Sequence, residues 1–163
     1  DLITYQLNNK LNSNVLEMLN KKYVINKDGK GQPVVKQNPG NLGACWFVKD
    51  IYFVKDDAAA MRALDNNNPA DSAIVEAADK NKITFMPVVD SSANIHLIKN
   101  DNDVITYSSE SKSNEFAVFS EIYDRGWKAY IDNKEVPIIR TDYVLRGLSV
   151  PAGNHSIRFE FNP

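Results

Sequence analysis

Trp127 stands in the stretch of this chain best suited to ligand chemistry. Tyr123 precedes it and Tyr130 follows it, so residues 123–130 carry three aromatic rings. Aromatic faces suit sugar rings, whose C–H faces are apolar while their hydroxyls need polar partners nearby. Asp124, Arg125, Asp142 and Arg146 are candidates for those partners. Core packing accounts for Trp127 more simply, because a Trp beside Gly126 can anchor two sheets with its large apolar area. Tyr123, Trp127, Tyr130 and Arg146 are therefore glycan-contact candidates set against an ordinary packing role.

Catalytic chemistry has less to stand on. Asp132 is followed by Asn133 and Lys134, turn residues between two strand patterns, and no partner lies near it in sequence. His96 and His155 are far apart, and neither falls in a metal-ligand spacing. No serine sits in a G-x-S-x-G turn, and no glycine-rich loop offers a phosphate cradle. The 21 carboxylates do not amount to a catalytic pair, which requires geometry that spacing alone does not provide. Cys45 lies in the apolar run Ala44 to Val48 and reads as a buried structural thiol. No catalytic residue, metal or cofactor is expected.

The elements that would position these residues change character along the chain. Residues 5–22 read as an amphipathic helix, with Leu11, Val15, Met18 and Leu19 on one face. Tyr23 to Ile25 and Pro33 to Val35 are short extended runs around the turn Asp28-Gly29, and Asn38 to Asn41 breaks the second. Cys45 to Val54 is one long strand or two bent ones, its second half covered on both faces. Asp56 or Asp57 caps a short helix over residues 58–64, and Ser72 to Glu76 forms a further strand.

Beyond residue 80 the helical period vanishes. Runs at 95–98, 104–107, 116–119, 128–131, 135–139, 144–150 and 156–161 arrive at spacings of roughly 8 to 12 residues, as in an antiparallel sandwich. In the last, Ile157, Phe159 and Phe161 alternate with Ser156, Arg158 and Glu160. The expectation is an α+β chain, mainly β. A small α/β part spans residues 1–80, and a jelly-roll-like antiparallel β-sandwich spans 81–163.

A net charge of −2 gives no electrostatic case for nucleic acid. Lys21, Lys22, Lys27, Lys30 and Lys36 read as an ordinary solvated face. A single cysteine excludes an internal disulfide, and no apolar run reaches the roughly 20 residues that span a bilayer. The start at Asp1 reads as an excised piece of something longer.

The run Glu121-Ile122-Tyr123, Gly126-Trp127-Lys128-Ala129-Tyr130-Ile131-Asp132, then Val136-Pro137-Ile138, Tyr143 to Gly147 and Val150-Pro151-Ala152-Gly153 with His155, closely resembles the C-terminal part of the YfhO family. Asn14 to Ile25, Pro33 to Val35 and Ala44 to Val48 follow the same family's order. Its members are large polytopic bacterial membrane proteins, similar to integral-membrane glycosyltransferases of the GT-C type. The resemblance implies an extracytoplasmic C-terminal domain at the cell membrane, without catalysis of its own. Its implied partners are the membrane-embedded remainder of the polypeptide and an envelope glycan. Bracing the membrane part without any ligand is the alternative role.

Overall fold

The computed structural model of the chain describes residues 12–163. Of the helix expected over residues 5–22, the described part holds one short helix. Helix α1 (Ser13–Met18) starts at Asn12, whose side chain accepts from the Asn14 amide at 3.1 Å. It stops because Asn20 adopts a left-handed φ of 55° and the Lys21 amide reaches back to the Leu16 carbonyl at 3.1 Å, a Schellman-type ending. Leu11 and the rest of residues 5–11 lie outside the described residues.

A hairpin follows, β1 (Tyr23–Lys27) with β2 (Pro33–Gln37). Next come β3 (Cys45–Val48), β4 (Asp50–Val54), helix α2 (Asp57–Ala63) and β5 (Ser72–Glu76). A 3-10 helix over Ala77–Lys82 leads to β6 (Asn94–Asn100), β7 (Val104–Ser111), β8 (Glu115–Ile122) and β9 (Trp127–Ile131). The chain ends with β10 (Lys134–Val136), β11 (Ile139–Thr141), β12 (Leu145–Val150) and β13 (Gly153–Phe161). The fold is α+β and mainly β.

Two large sheets organise these strands. One is ordered β10-β9-β13-β7-β6, the other β3-β8-β12-β11-β5-β4. The second takes strands from both sides of residue 80. Its edge strands β3 and β4 are consecutive in sequence, separated only by Lys49, so the sheet must curl until its edges meet there. Cys45 to Val54 is thus two strands, with Lys49 and Asp50 both donating backbone N–H groups to the Asp71 carbonyl. Among the described strands only β4 and β5 run parallel, and α2 makes the crossover that a parallel pair requires. Asp56 is the α2 cap, accepting from the Ala59 amide at 2.9 Å. The expected two-sided burial of the second half gives way to an edge strand: Ile51 and Val54 are buried while Tyr52 is 57% exposed.

Burial on both faces belongs instead to β8. Its Phe116 and Val118 join Trp46, Val48, Ile139 and Leu145 in a core closed by Val15 and Met18 of α1 and by Ala60 and Met61 of α2. Ala117 and Phe119 face the other sheet. There Tyr107, Phe119 and Phe159 meet edge to face, with ring centroids 4.7 to 5.9 Å apart.

The run at 135–139 also divides. Pro137 has no N–H for a ladder, and the chain leaves one sheet at Val136 and joins the other at Ile139. The β8–β9 connection crosses between the same two sheets. These two crossings frame the candidate site.

Candidate functional site

Strand β9 alternates as its sequence demands. Ala129 and Ile131 are buried against the opposite sheet, and Trp127 continues that inward row to the rim, where it is half-buried. Lys128 and Tyr130 point to the outer face. Tyr130 meets Arg158, whose guanidinium lies 4.6 Å from its ring centre. The structure thus separates Tyr130 from Trp127 across the thickness of one sheet.

Arg146 approaches Trp127 from the facing sheet. The β8–β12 register shifts between Leu145 and Arg146, a bulge of the kind that re-aims a side chain. Its guanidinium sits 4.0 Å from the Trp127 ring centre and 5.3 Å from that of Phe159. Arg146 is 2% exposed, and its Nε donates to the Ile122 carbonyl at 3.0 Å. Its Nη1 has no partner among the described residues. Burial lowers the Arg146 pKa, while Glu121, Tyr107 and Asp124 act in the opposite direction. Such a guanidinium stays charged at neutral pH.

Gly126 lets the corner close. A Cβ there would lie 2.5 Å from the Phe161 ring, which itself packs on Trp127 with centroids 5.3 Å apart. The Gly126 amide donates to Asp124 Oδ1 at 2.7 Å, and Asn162 donates to the Gly126 carbonyl at 2.8 Å. The indole N–H of Trp127 has no hydrogen-bond partner among the described residues.

Trp127 opens onto a cleft of about 310 Å³, bordered also by Tyr123, Asp124, Arg125, Glu135 and Ile138. Tyr123 and Arg125 also line a second cleft of about 290 Å³ with Arg140 and Tyr143. Aromatic rings, both signs of charge and an apolar wall thus surround one opening. This is the mix that a polyhydroxylated ligand needs. A larger hollow of about 690 Å³ lies elsewhere, between β4 and α2, bordered by Tyr52, Arg62 and Asn66 among others.

Asp142 lines neither cleft at the rim. It is fully buried in the β11–β12 turn, where its Oδ1 accepts from the Ile74 amide at 2.8 Å and its Oδ2 has no partner among the described residues. Desolvation pushes its pKa up to about 7. Cys45, expected as a buried thiol, is half-buried on β3, its thiol pushed up to about 12 by desolvation.

One pairing was not visible in the spacing. Asp132 and Asn133 both take positive φ, 48° and 67°, forming the two-residue hairpin turn between β9 and β10. That turn brings Asp132 Oδ2 to 2.6 Å from His155 Nδ1 on β13. His155 Nε2 faces the Ala152 carbonyl at 3.1 Å. With an acceptor at each ring nitrogen the imidazolium is favoured: although burial alone would lower it, the Asp132 hydrogen bond leaves the His155 pKa raised. An imidazole held this way has no free nitrogen to activate a serine. No group of three or more potential metal ligands occurs among the described residues.

The family model described as bacterial membrane protein YfhO matches residues 78–163. The chain belongs to the YfhO family. The match contains the Gly126-Trp127 corner and the Pro151-Ala152-Gly153 turn, so both clefts at the rim are built mainly from YfhO-matched residues. No curated protein and no solved structure matches the chain. Among the described residues no helix is long and apolar enough to cross a membrane.

Proposed function

We propose that this chain is a non-catalytic, extracytoplasmic accessory domain of a YfhO-type membrane protein, and that its rim cleft recognises a cell-envelope glycan. The supporting observation is the Trp127 ring, backed by Arg146 at 4.0 Å and opening onto a cleft shared with Tyr123, Asp124 and Arg125. A ring fixed from behind offers its remaining surface without a further ordering cost, and the neighbouring charged groups suit hydroxyls. Tyr123, Trp127 and Arg125 make the contacts in this reading, and Arg146 positions the indole. Tyr130 belongs to the outer face and takes no part.

Calorimetric titration with envelope saccharides tests this directly. Binding at millimolar concentration that disappears in Trp127→Ala and persists in Tyr130→Ala supports it. No heat at such concentrations, or equal loss in both variants, sinks it in favour of a brace for the membrane part.

A further inference from the structure

The β1–β2 hairpin forms a sheet of its own, hydrogen-bonded into neither large sheet. Its register sets Tyr23 opposite Gln37, Ile25 opposite Val35 and Lys27 opposite Pro33, so those side chains share one face. On it Tyr23, Ile25 and Val35 are 64%, 71% and 63% exposed. The frame carrying them is well tied. At the base, Asn38 donates its amide to the Lys22 carbonyl at 2.7 Å and its side chain to the Lys21 carbonyl at 2.9 Å. At the tip, Asp28 Oδ1 accepts from the Lys30 and Gln32 amides at 2.8 and 2.9 Å. A lone two-stranded hairpin with its apolar side in water is marginal at best.

Its charge is as distinctive as its apolar face. Lys21, Lys22, Lys27, Lys30 and Lys36 are all exposed, and none has an ion pair among the described residues. The only acid within residues 21–37 is Asp28, already used by the turn. This segment carries a formal +4 in a chain whose total is −2. The lysines that read as an ordinary solvated face in the sequence therefore surround an uncovered apolar surface.

We infer that this hairpin lies on the surface of an anionic lipid bilayer. Tyr23, Ile25 and Val35 enter the headgroup boundary, where a tyrosine ring is well suited. The lysines extend their aliphatic stems alongside and set their ammonium groups against lipid phosphates. Charge complementarity selects this occupant, and membership of a membrane-protein family puts a bilayer within reach.

Sedimentation of the 163-residue chain with vesicles tests it, using phosphatidylcholine alone and phosphatidylcholine mixed with phosphatidylglycerol. The chain should sediment with the mixed vesicles, weakly or not at all with the neutral ones, and release as salt is raised. Reversing Lys22, Lys27 and Lys36 to Glu should weaken association on the order of a hundred-fold, at about five-fold for each lysine removed. Ile25→Ser should weaken it by roughly ten-fold. Trp46 fluorescence and the urea midpoint, unchanged in both variants, show that the fold is intact. No sedimentation with anionic vesicles, equal sedimentation with both kinds, or variants that bind like the parent would overturn the inference. So would a dimer in analytical ultracentrifugation that Ile25→Ser dissolves, which would give the face to a second copy.

Discussion

Trp46 lies on β3 within the helix-covered core, 9% exposed, and gives its indole N–H to the Pro69 carbonyl at 2.8 Å. Trp127 lies on β9 at the open rim of the sandwich, half-buried, with a guanidinium on its ring and its own N–H unpaired among the described residues. The same side chain is fully engaged in one region and held available in the other. Packing satisfies Trp46 completely; at Trp127 the fold has fixed a ring without enclosing it. A ring that is ordered yet accessible is what a binding surface requires.

Changes in the two regions should differ most at the buried end. Trp46→Ala removes the ring from a closed core and leaves the Pro69 carbonyl unpaired, so we expect a loss of about 3 to 5 kcal/mol in urea unfolding. A loss below about 1 kcal/mol would show that the core does not depend on this residue.

The same core holds Asp142, whose effect is read through pH. Its folded pKa is raised to about 7 by burial, above its ordinary carboxylate value. Between roughly pH 4 and 7 the folded state keeps a proton that the unfolded state has released, so stability falls as pH rises across that interval. Full burial makes this on the order of 4 kcal/mol. Glu76 adds to the slope, its pKa raised to about 7 chiefly by the hydrogen bond to the Asp57 carboxyl. Thermal unfolding of Asp142→Asn from pH 4 to 8 should show a flatter profile than the parent chain. An unchanged slope would mean the carboxyl is ionised in place.

At the rim, Trp127→Ala should cost only about 1 to 2 kcal/mol, because the ring is only partly buried. Differential scanning calorimetry of the two Trp variants under one condition makes the comparison direct. Equal losses would erase the distinction between the regions. The smallest effect belongs to Ile25→Ser on the hairpin, which should move the urea midpoint by less than about 0.5 kcal/mol, since nothing described covers that side chain.

Much of the sandwich was legible in the sequence. The alternation Ile157, Phe159, Phe161 put β13 in place, and the Asp132-Asn133 pair marked a hairpin whose positive φ angles suit those residues. Less legible was anything that depended on which strands become neighbours. Lys49 separates two edges of one curled sheet, and local periodicity carries no trace of that closure. The residues 135–139 read as one strand across Pro137, yet the chain changes sheets there. Tyr123, Trp127 and Arg125 share a cleft as residues close in sequence can, whereas Tyr130 is lost to the other face by strand alternation. Arg146 reaches Trp127 through a bulge in a different sheet, and Asp132 finds His155 across β9 and β13. Neither contact has a spacing rule.

The most direct measurement follows the two indole N–H resonances by NMR while an envelope saccharide is added to the millimolar range. The Trp127 signal should shift in a saturable way while that of Trp46, held on the Pro69 carbonyl, stays fixed. Two signals that both remain still, or that shift together without saturation, would contradict a glycan site at the rim.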